Sequence, residues 1–285
     1  NVYRIVGGSA TLVGTGAADE DRLSTPPAIA TTRFPRPTFA ETEALLVLAG
    51  GAEVGKIDIR PETFSEPNFT NPNPDYHEMS FLGGCPPLAS HVITNSSRLL
   101  MNDTQLDQTK VRYSDITQGI VSFAGHESWA PSPGAAGFFT AEARADSLIA
   151  IAENTNDIFV FGRTSLQLFA PDTSVTFAPS ITREAGCLAP YSPVKMDDRY
   201  VWLDHLTRIV SSDGRQWEDI GGAVQKTLDA LTAPEECYAY RFSDSFADCL
   251  VFRFETDAET LVFQQGVGWG KWATYDETAG AFTMF

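Results

Sequence analysis

Basic residues are scarce in this chain of 285 residues: 20 Lys and Arg face 37 Asp and Glu, for a net charge of −17. Such an excess of carboxylates opposes tight, sequence-independent gripping of nucleic acid phosphates, because that affinity comes from cations that displace counterions. Histidine is equally sparse, with four residues (His77, His91, His126, His205) set far apart. Each reads as a solvated or core residue rather than a metal ligand. The four cysteines (Cys85, Cys187, Cys237, Cys249) form no CxxC pair, so neither a zinc site nor a disulfide scaffold is indicated and buried free thiols are expected. No apolar run approaches the ~20 residues that a membrane-spanning helix needs.

Signatures of the commoner chemistries are missing too. No Walker A, H-E-x-x-H, G-x-S-x-G or EF-hand pattern occurs. The run LVGTG ending at Gly16 starts like a dinucleotide turn, but the third glycine of G-x-G-x-x-G would fall on Asp19. The acidic pairs Asp197-Asp198 and Glu235-Glu236 lie in turn-like contexts, where carboxylates bond backbone or water. No catalytic, cofactor-binding or metal-binding residue is therefore assigned, and no cofactor is expected.

What the chain does have is repetition. SLIAIAENTNDIFVFGRTSLQLFAP, Ser147 to Pro171, alternates apolar and polar residues as three half-buried antiparallel strands, with turns at Asn154 to Asp157 and at Gly162. A similar order of strand, turn, strand and strand begins at Ser192 and again at Cys237, a spacing of 45 residues each time. The last copy adds a fourth run, Gly268 to Tyr275. Upstream, Ala89 to Asp115 repeats the order, and Glu43 to Ile59 and Val2 to Gly14 show a simpler pair of strands hinged at Gly-Gly. Six such units of antiparallel strands predict an all-β fold, a six-bladed β-propeller forming one domain over residues 1–285, with an irregular β-sandwich as the alternative.

Between the units, Arg60 to Pro87 and Phe123 to Phe139 are rich in Pro, Asn or Gly and read as loops. Glu218 to Leu231 places Ile220, Val224, Leu228 and Leu231 at helical intervals and predicts one short amphipathic helix packed by that face. Phe159, Phe161, Trp202, Leu250, Phe252 and Phe263 occupy apolar positions of repeated strands and are expected between blades. Val2 to Val6 has no partner upstream, which predicts closure of the ring by pairing strands from the two chain ends. The start NVYRIVGG, without an initiator Met, reads as a segment of a longer protein.

Two resemblances add to this reading. SSDGRQW, Ser211 to Trp217, is similar to the Asp-box turn of sialidases, S-x-D-x-G-x-T-W, but lacks one residue before Gly214, lacks the Thr, and occurs once. It implies a structural turn and no catalysis. More extensively, Gly137 to Pro171, Arg183 to Gln216 and the short helix that follows resemble the packaged-DNA stabilisation or tail nozzle proteins of short-tailed bacteriophages. The resemblance rests on a strand pair ending in Phe161-Gly162, a strand reading TSLQLF (Thr164 to Phe169) and the turn AGCLAPYS from Ala185 to Ser192. The elements RLLMND and VRYSD and the opening VYRIVGG are similar to earlier blades of that family.

This family resemblance implies a non-enzymatic structural protein of the virion tail, present in the host cytoplasm during assembly. It would form a hexameric ring that extends the portal channel, contacts portal or adaptor proteins and tail needle or fibre proteins, and lets duplex DNA pass without tight binding. A glycan-binding or glycan-cleaving propeller, or a generic protein-interaction propeller, are the alternatives that the residues leave open.

Overall fold

The computed structural model describes residues 2–6, 9–14, 36–50, 54–60, 79–85, 89–102, 108–117, 122–132, 135–141, 146–154, 157–171, 177–243, 248–276 and 281–284. They build five four-stranded antiparallel meanders, each with its strands in sequence order, which is the blade unit of an all-β propeller. Two further hairpins lie near the chain ends, β1 (Val2–Val6) with β2 (Ser9–Gly14) and β23 (Ala273–Asp276) with β24 (Ala281–Met284).

The chain divides into two compact units, the first made of Asn1–Glu142 and Pro171–Phe177, the second of Ala143–Ala170 and Ala178–Phe285. In the first unit, blade 1 comprises β3 (Thr38–Glu41), β4 (Leu45–Ala49), β5 (Gly55–Asp58) and β6 (Met79–Phe81). Blade 2 comprises β7 (Val92–Asn95), β8 (Arg98–Asn102), β9 (Lys110–Tyr113) and β10 (Gly137–Thr140). Leu45, Val47 and Ala49 of blade 1 share a core with Val92, Leu99 and Met101 of blade 2, capped by Trp129. The Thr38 hydroxyl sews the two blades together, donating to the Ser90 carbonyl at 3.1 Å and accepting from the Val92 amide at 3.2 Å.

Blade 3 has β11 (Leu148–Asn154), β12 (Asp157–Gly162), β13 (Leu166–Pro171) and β14 (Phe177–Arg183). Blade 4 has β15 (Val194–Met196), β16 (Arg199–Leu203), β17 (Ile209–Ser212) and β18 (Trp217–Asp219). Blade 5 has β19 (Tyr238–Ser243), β20 (Asp248–Phe254), β21 (Glu259–Gln264) and β22 (Gly268–Lys271). The middle strands β4, β8, β12, β13, β16 and β20 are buried on both faces over most of their length and read as near-continuous apolar runs, whereas β9 (KVRY) alternates.

The expected inter-blade positions are occupied as the repeats require. Phe159, Phe161, Trp202, Leu250 and Phe252 are fully buried, and Phe263 is half-buried against the core shared by blades 4 and 5. The Phe161 and Trp202 rings meet edge to face at 5.2 Å, and Phe159 meets Tyr200 at 5.1 Å, so aromatic pairs bridge blades 3 and 4.

Five sequence expectations need correction. Blades number five among the described residues, not six. The unit at Val2 to Gly14 is a lone hairpin, and the run Gly268 to Tyr275 breaks at Trp272 into β22 and the start of β23. In the described ladders β1 pairs with β2 alone, so the pairing of the two ends is not seen; a tight local turn closes with far less lost chain entropy than a join between termini. The helix expected from Glu218 to Leu231 is shorter: β18 takes Trp217–Asp219, a 3₁₀ turn spans Gly222–Val224, and α1 covers Gln225–Leu228. Its four apolar residues nevertheless face the core as their spacing predicts, with Leu228 buried and Ile220, Val224 and Leu231 packed beside it.

The supposed loops also hold structure: Arg60 to Pro87 contains β6, and Phe123 to Phe139 contains a 3₁₀ turn at Ala124–Glu127 and the start of β10.

Candidate interaction surface

Most polar side chains near the blade ends are spent on holding turns. Asp204, fully buried, accepts from the Leu206 and Arg208 amides at 2.9 Å each and from the Arg208 guanidinium. Asp146 accepts from the Thr164 and Ser165 amides at 2.6 and 3.0 Å. Asp213, in the turn similar to an Asp box, accepts from the Arg215 and Gln216 amides at 2.8 and 2.6 Å, and these bonds hold its carboxyl below the usual range. Trp217 does not pack beneath that turn; it lies exposed with the Arg208 guanidinium 5.0 Å from its ring centre. The residue that fits the turn to its neighbour is Gly214, at φ +97°, where a Cβ would come within 2.4 Å of Leu168 in blade 3.

The turn Ala185 to Ser192 is likewise architectural. The Cys187 amide donates to the Gly162 carbonyl at 2.9 Å, Trp202 Nε1 donates to the Gly186 carbonyl at 3.2 Å, and a Cβ on Gly186 would stand 2.2 Å from the Arg163 carbonyl oxygen. Ser192 Oγ donates to the Ala189 carbonyl at 2.8 Å and accepts from the Leu203 amide at 3.1 Å. Burial pushes the Cys187 thiol up to about 12.

A surface cleft of about 370 Å³ opens between α1 and blade 5, lined by Lys226, Thr227, Asp257, Glu259 and Lys271. Its charges are largely committed: Asp257 accepts from the Thr232 and Ala233 amides, and Lys271 pairs with Glu259 at 2.9 Å.

The concentrated apolar surface is elsewhere in blade 5. Along β19, Tyr238, Tyr240 and Phe242 project to one face at every second position, as the strand period of two requires. Tyr238 and Tyr240 stack with centres 6.3 Å apart, and Phe242 meets Trp272 edge to face at 6.0 Å. Tyr240 and Phe242 are each 42% exposed and Trp272 is 37% exposed. Beside the row, on the same face of the sheet, lie Cys249 and Val251 of β20 and Val262 of β21, a small buried cluster. At one end Arg241 bridges Asp248 and, at 3.2 Å, Asp197 of the β15–β16 turn. These bonds hold the Asp248 carboxyl below its usual range.

Neither a family model nor a curated sequence matches this chain. Its fold does have solved counterparts. A catalytically inactive virginiamycin B lyase from Staphylococcus aureus, solved with quinupristin, superposes with a TM-score of 0.50 at 9% identity, over 87% of this chain and 77% of that one. Hsv2 of Kluyveromyces lactis gives 0.44 at 8% identity, over 86% of this chain and 70% of its own. Human WBSCR16 gives 0.41 at 10%, over 79% and 60%. At these identities the likeness is one of fold alone.

The remaining residues singled out in the sequence fall in separate places. His91 is buried with Nδ1 2.9 Å from Ser90 Oγ; His126 is buried in the 3₁₀ turn with neither ring nitrogen bonded; His205 has a buried, unbonded Nδ1; His77 lies outside the described residues. Cys187, Cys237 and Cys249 are buried free thiols, and Cys85 is a half-buried one. Among the described residues, no group of three or more His, Cys, Asp or Glu is placed to hold a metal ion. Asp197 and Asp198 occupy the β15–β16 turn, Asp197 at φ +56°, and Glu235 and Glu236 occupy a 3₁₀ turn. The aromatic row of β19 is not among the residues singled out in the sequence, although the period-two pattern YAYRF was its visible signal.

Proposed function

We propose that this chain is a non-enzymatic interaction propeller, a rigid β scaffold that presents apolar surface to another macromolecule. The observation that carries this reading is the row Tyr240, Phe242 and Trp272, large rings clustered in water, whereas the other exposed aromatics among the described residues, Phe39, Phe138 and Trp217, stand on separate strands of other blades. Exposed aromatic clusters rimmed by charge are the anchors of binding surfaces. The test is quantitative cross-linking of the native protein in its source extract, through Lys195 and Lys271, compared with a Tyr240→Ser/Phe242→Ser variant. A partner cross-linked to the native chain and lost from a stably folded variant is expected. Turnover of a substrate by the purified chain would overturn the non-enzymatic reading.

A second reading, a ring component of a short-tailed phage tail, is favoured by the turn Ala185 to Ser192. The residues that carry that resemblance are those that lock blade 3 to blade 4, so the likeness lies in the scaffold. The net charge of −17 suits a channel through which a polyanion slides. Native mass measurement of the assembled protein is expected to give a hexamer with no measurable duplex binding at low salt. A monomer at every concentration, or micromolar DNA binding, would rule that reading out.

A further inference from the structure

We propose that the hairpin β23–β24 is a cover for the aromatic row of blade 5: it folds one face over Tyr240 and Phe242, and a partner reaches those rings by displacing it. This rests on the interaction reading above and adds regulation to the same surface.

The register of the hairpin supplies the first part of the argument. Ala273 stands opposite Met284, Thr274 opposite Thr283, Tyr275 opposite Phe282 and Asp276 opposite Ala281. Positions paired across an antiparallel ladder share a side, and sides alternate along each strand. Ala273, Tyr275, Phe282 and Met284 therefore occupy one face of the hairpin, and Thr274, Asp276, Ala281 and Thr283 the other. One face is written in apolar residues, the other in small or polar ones. In the described ladders, however, β23 and β24 pair only with each other. A two-stranded sheet is marginal alone in water and gains stability by laying an apolar face on another surface.

Blade 5 offers that surface next to the hinge. β22 ends at Lys271 and β23 starts at Ala273, so Trp272 alone separates the blade from the hairpin. The Trp272 ring meets Phe242 edge to face, which puts the hinge residue on the rim of the row. Each strand of the hairpin has four residues and reaches about 13 Å, whereas Tyr240 and Phe242, two positions apart, span about 7 Å. The hairpin is thus long enough to lie across both rings. The structure shows the open arrangement, with Tyr240 and Phe242 each 42% exposed.

Charge does not oppose closure. Asp276 falls on the polar face of the hairpin, and the Arg241–Asp248 pair alternates with the row and so lies on the other side of the β19–β20 ladder. A tether of one residue keeps the cover at high effective concentration, so a modest contact holds it against dilute competitors while a tighter partner removes it.

The test uses the full chain and the neutral apolar dye Nile red. Phe282→Ser/Met284→Ser is expected to raise dye binding at least threefold, and adding Tyr240→Ser/Phe242→Ser to abolish the gain. In a Cys249→Ala background with a glutathione disulfide buffer as oxidant, Tyr240→Cys/Phe282→Cys is expected to form an intramolecular disulfide at least tenfold faster than Tyr240→Cys/Thr283→Cys, whose second position is on the opposite face. Dye binding unchanged by the hairpin substitutions, a gain that survives loss of the rings, or equal rates for the two cysteine pairs would overturn the cover. A partner lost from Tyr240→Ser/Phe242→Ser but captured equally by Phe282→Ser/Met284→Ser would sink the cover and leave the interaction reading standing. A face-selective disulfide together with a partner indifferent to the ring substitutions would do the reverse.

Discussion

Trp202 shows how much a single side chain contributes to this scaffold. It is fully buried, meets Phe161 edge to face and donates to the Gly186 carbonyl, so Trp202→Ala would leave a cavity and take from that carbonyl one of its two donors, the other being the His205 amide. A loss of about 3 to 5 kcal/mol is expected in denaturant unfolding. Gly186→Ala is expected to be severe for the opposite reason, since its Cβ has no room beside the Arg163 carbonyl; an unchanged midpoint would refute the close approach. His126 supplies a pH-dependent term. Burial lowers its pKa from 6.5 to about 4, so the folded protein holds the ring neutral while the unfolded chain takes up a proton below about 6.5. This contribution is complete above that value and is lost as pH falls toward 4. Stability measured from pH 7 to 4 should fall less steeply in His126→Leu than in the native chain, the carboxylates common to both cancelling in the difference.

At the scale of elements, the blades divide into strands that write themselves plainly into the sequence and strands that do not. β12, β16 and β20 are recognisable because burial on both faces demands apolar runs such as IFVF and CLVF. The fourth strands are not: β18 is exposed at all three positions, and β14 carries Pro179 with little buried surface. An edge strand with one neighbour and a wet face needs only main-chain pairing, which leaves no hydrophobic signature. β6 and β10, each paired along one edge only, were likewise hidden inside segments dense in turn residues. The helix was misplaced because Ile220, Val224, Leu228 and Leu231 satisfy a helical period although the first belongs to an extended segment after β18; its amide and that of Gly221 both donate to the Ile209 carbonyl at 3.0 Å. Native-state hydrogen exchange should reproduce this division, with β16 and β17 amides exchanging slowest and β18 amides far faster. Equal protection across blade 4 would show that its outer strand is held by more than the ladder to β17.

For the whole molecule, repetition at 45 residues was enough to give the fold class, because each blade must place the same buried strands at the same spacing. The number of blades was less legible, since a Gly-Gly hinge between two apolar strands marks a hairpin whether or not two more strands join it. The interaction surface was least legible. Whether YAYRF faces a core or water depends on what covers β19, which no local pattern encodes. The acidic balance makes its own prediction: with an isoelectric point near 4.5, solubility should pass through a minimum close to that pH, as light scattering would show.

The turn from Ala185 to Ser192 also makes the protein its own strain gauge. Cys187 sits sealed where blades 3 and 4 are stitched, and a thiol pushed up to about 12 has almost no thiolate at neutral pH, so an alkylating reagent can reach and react with it only when the stitch opens. The half-buried Cys85 should be modified first, and the slow rate at Cys187 then times the parting of two neighbouring blades directly. Under mild denaturant that clock should run faster well before the barrel of aromatic contacts around Trp202 melts if the turn opens locally, and in step with it if the two blades come apart as one.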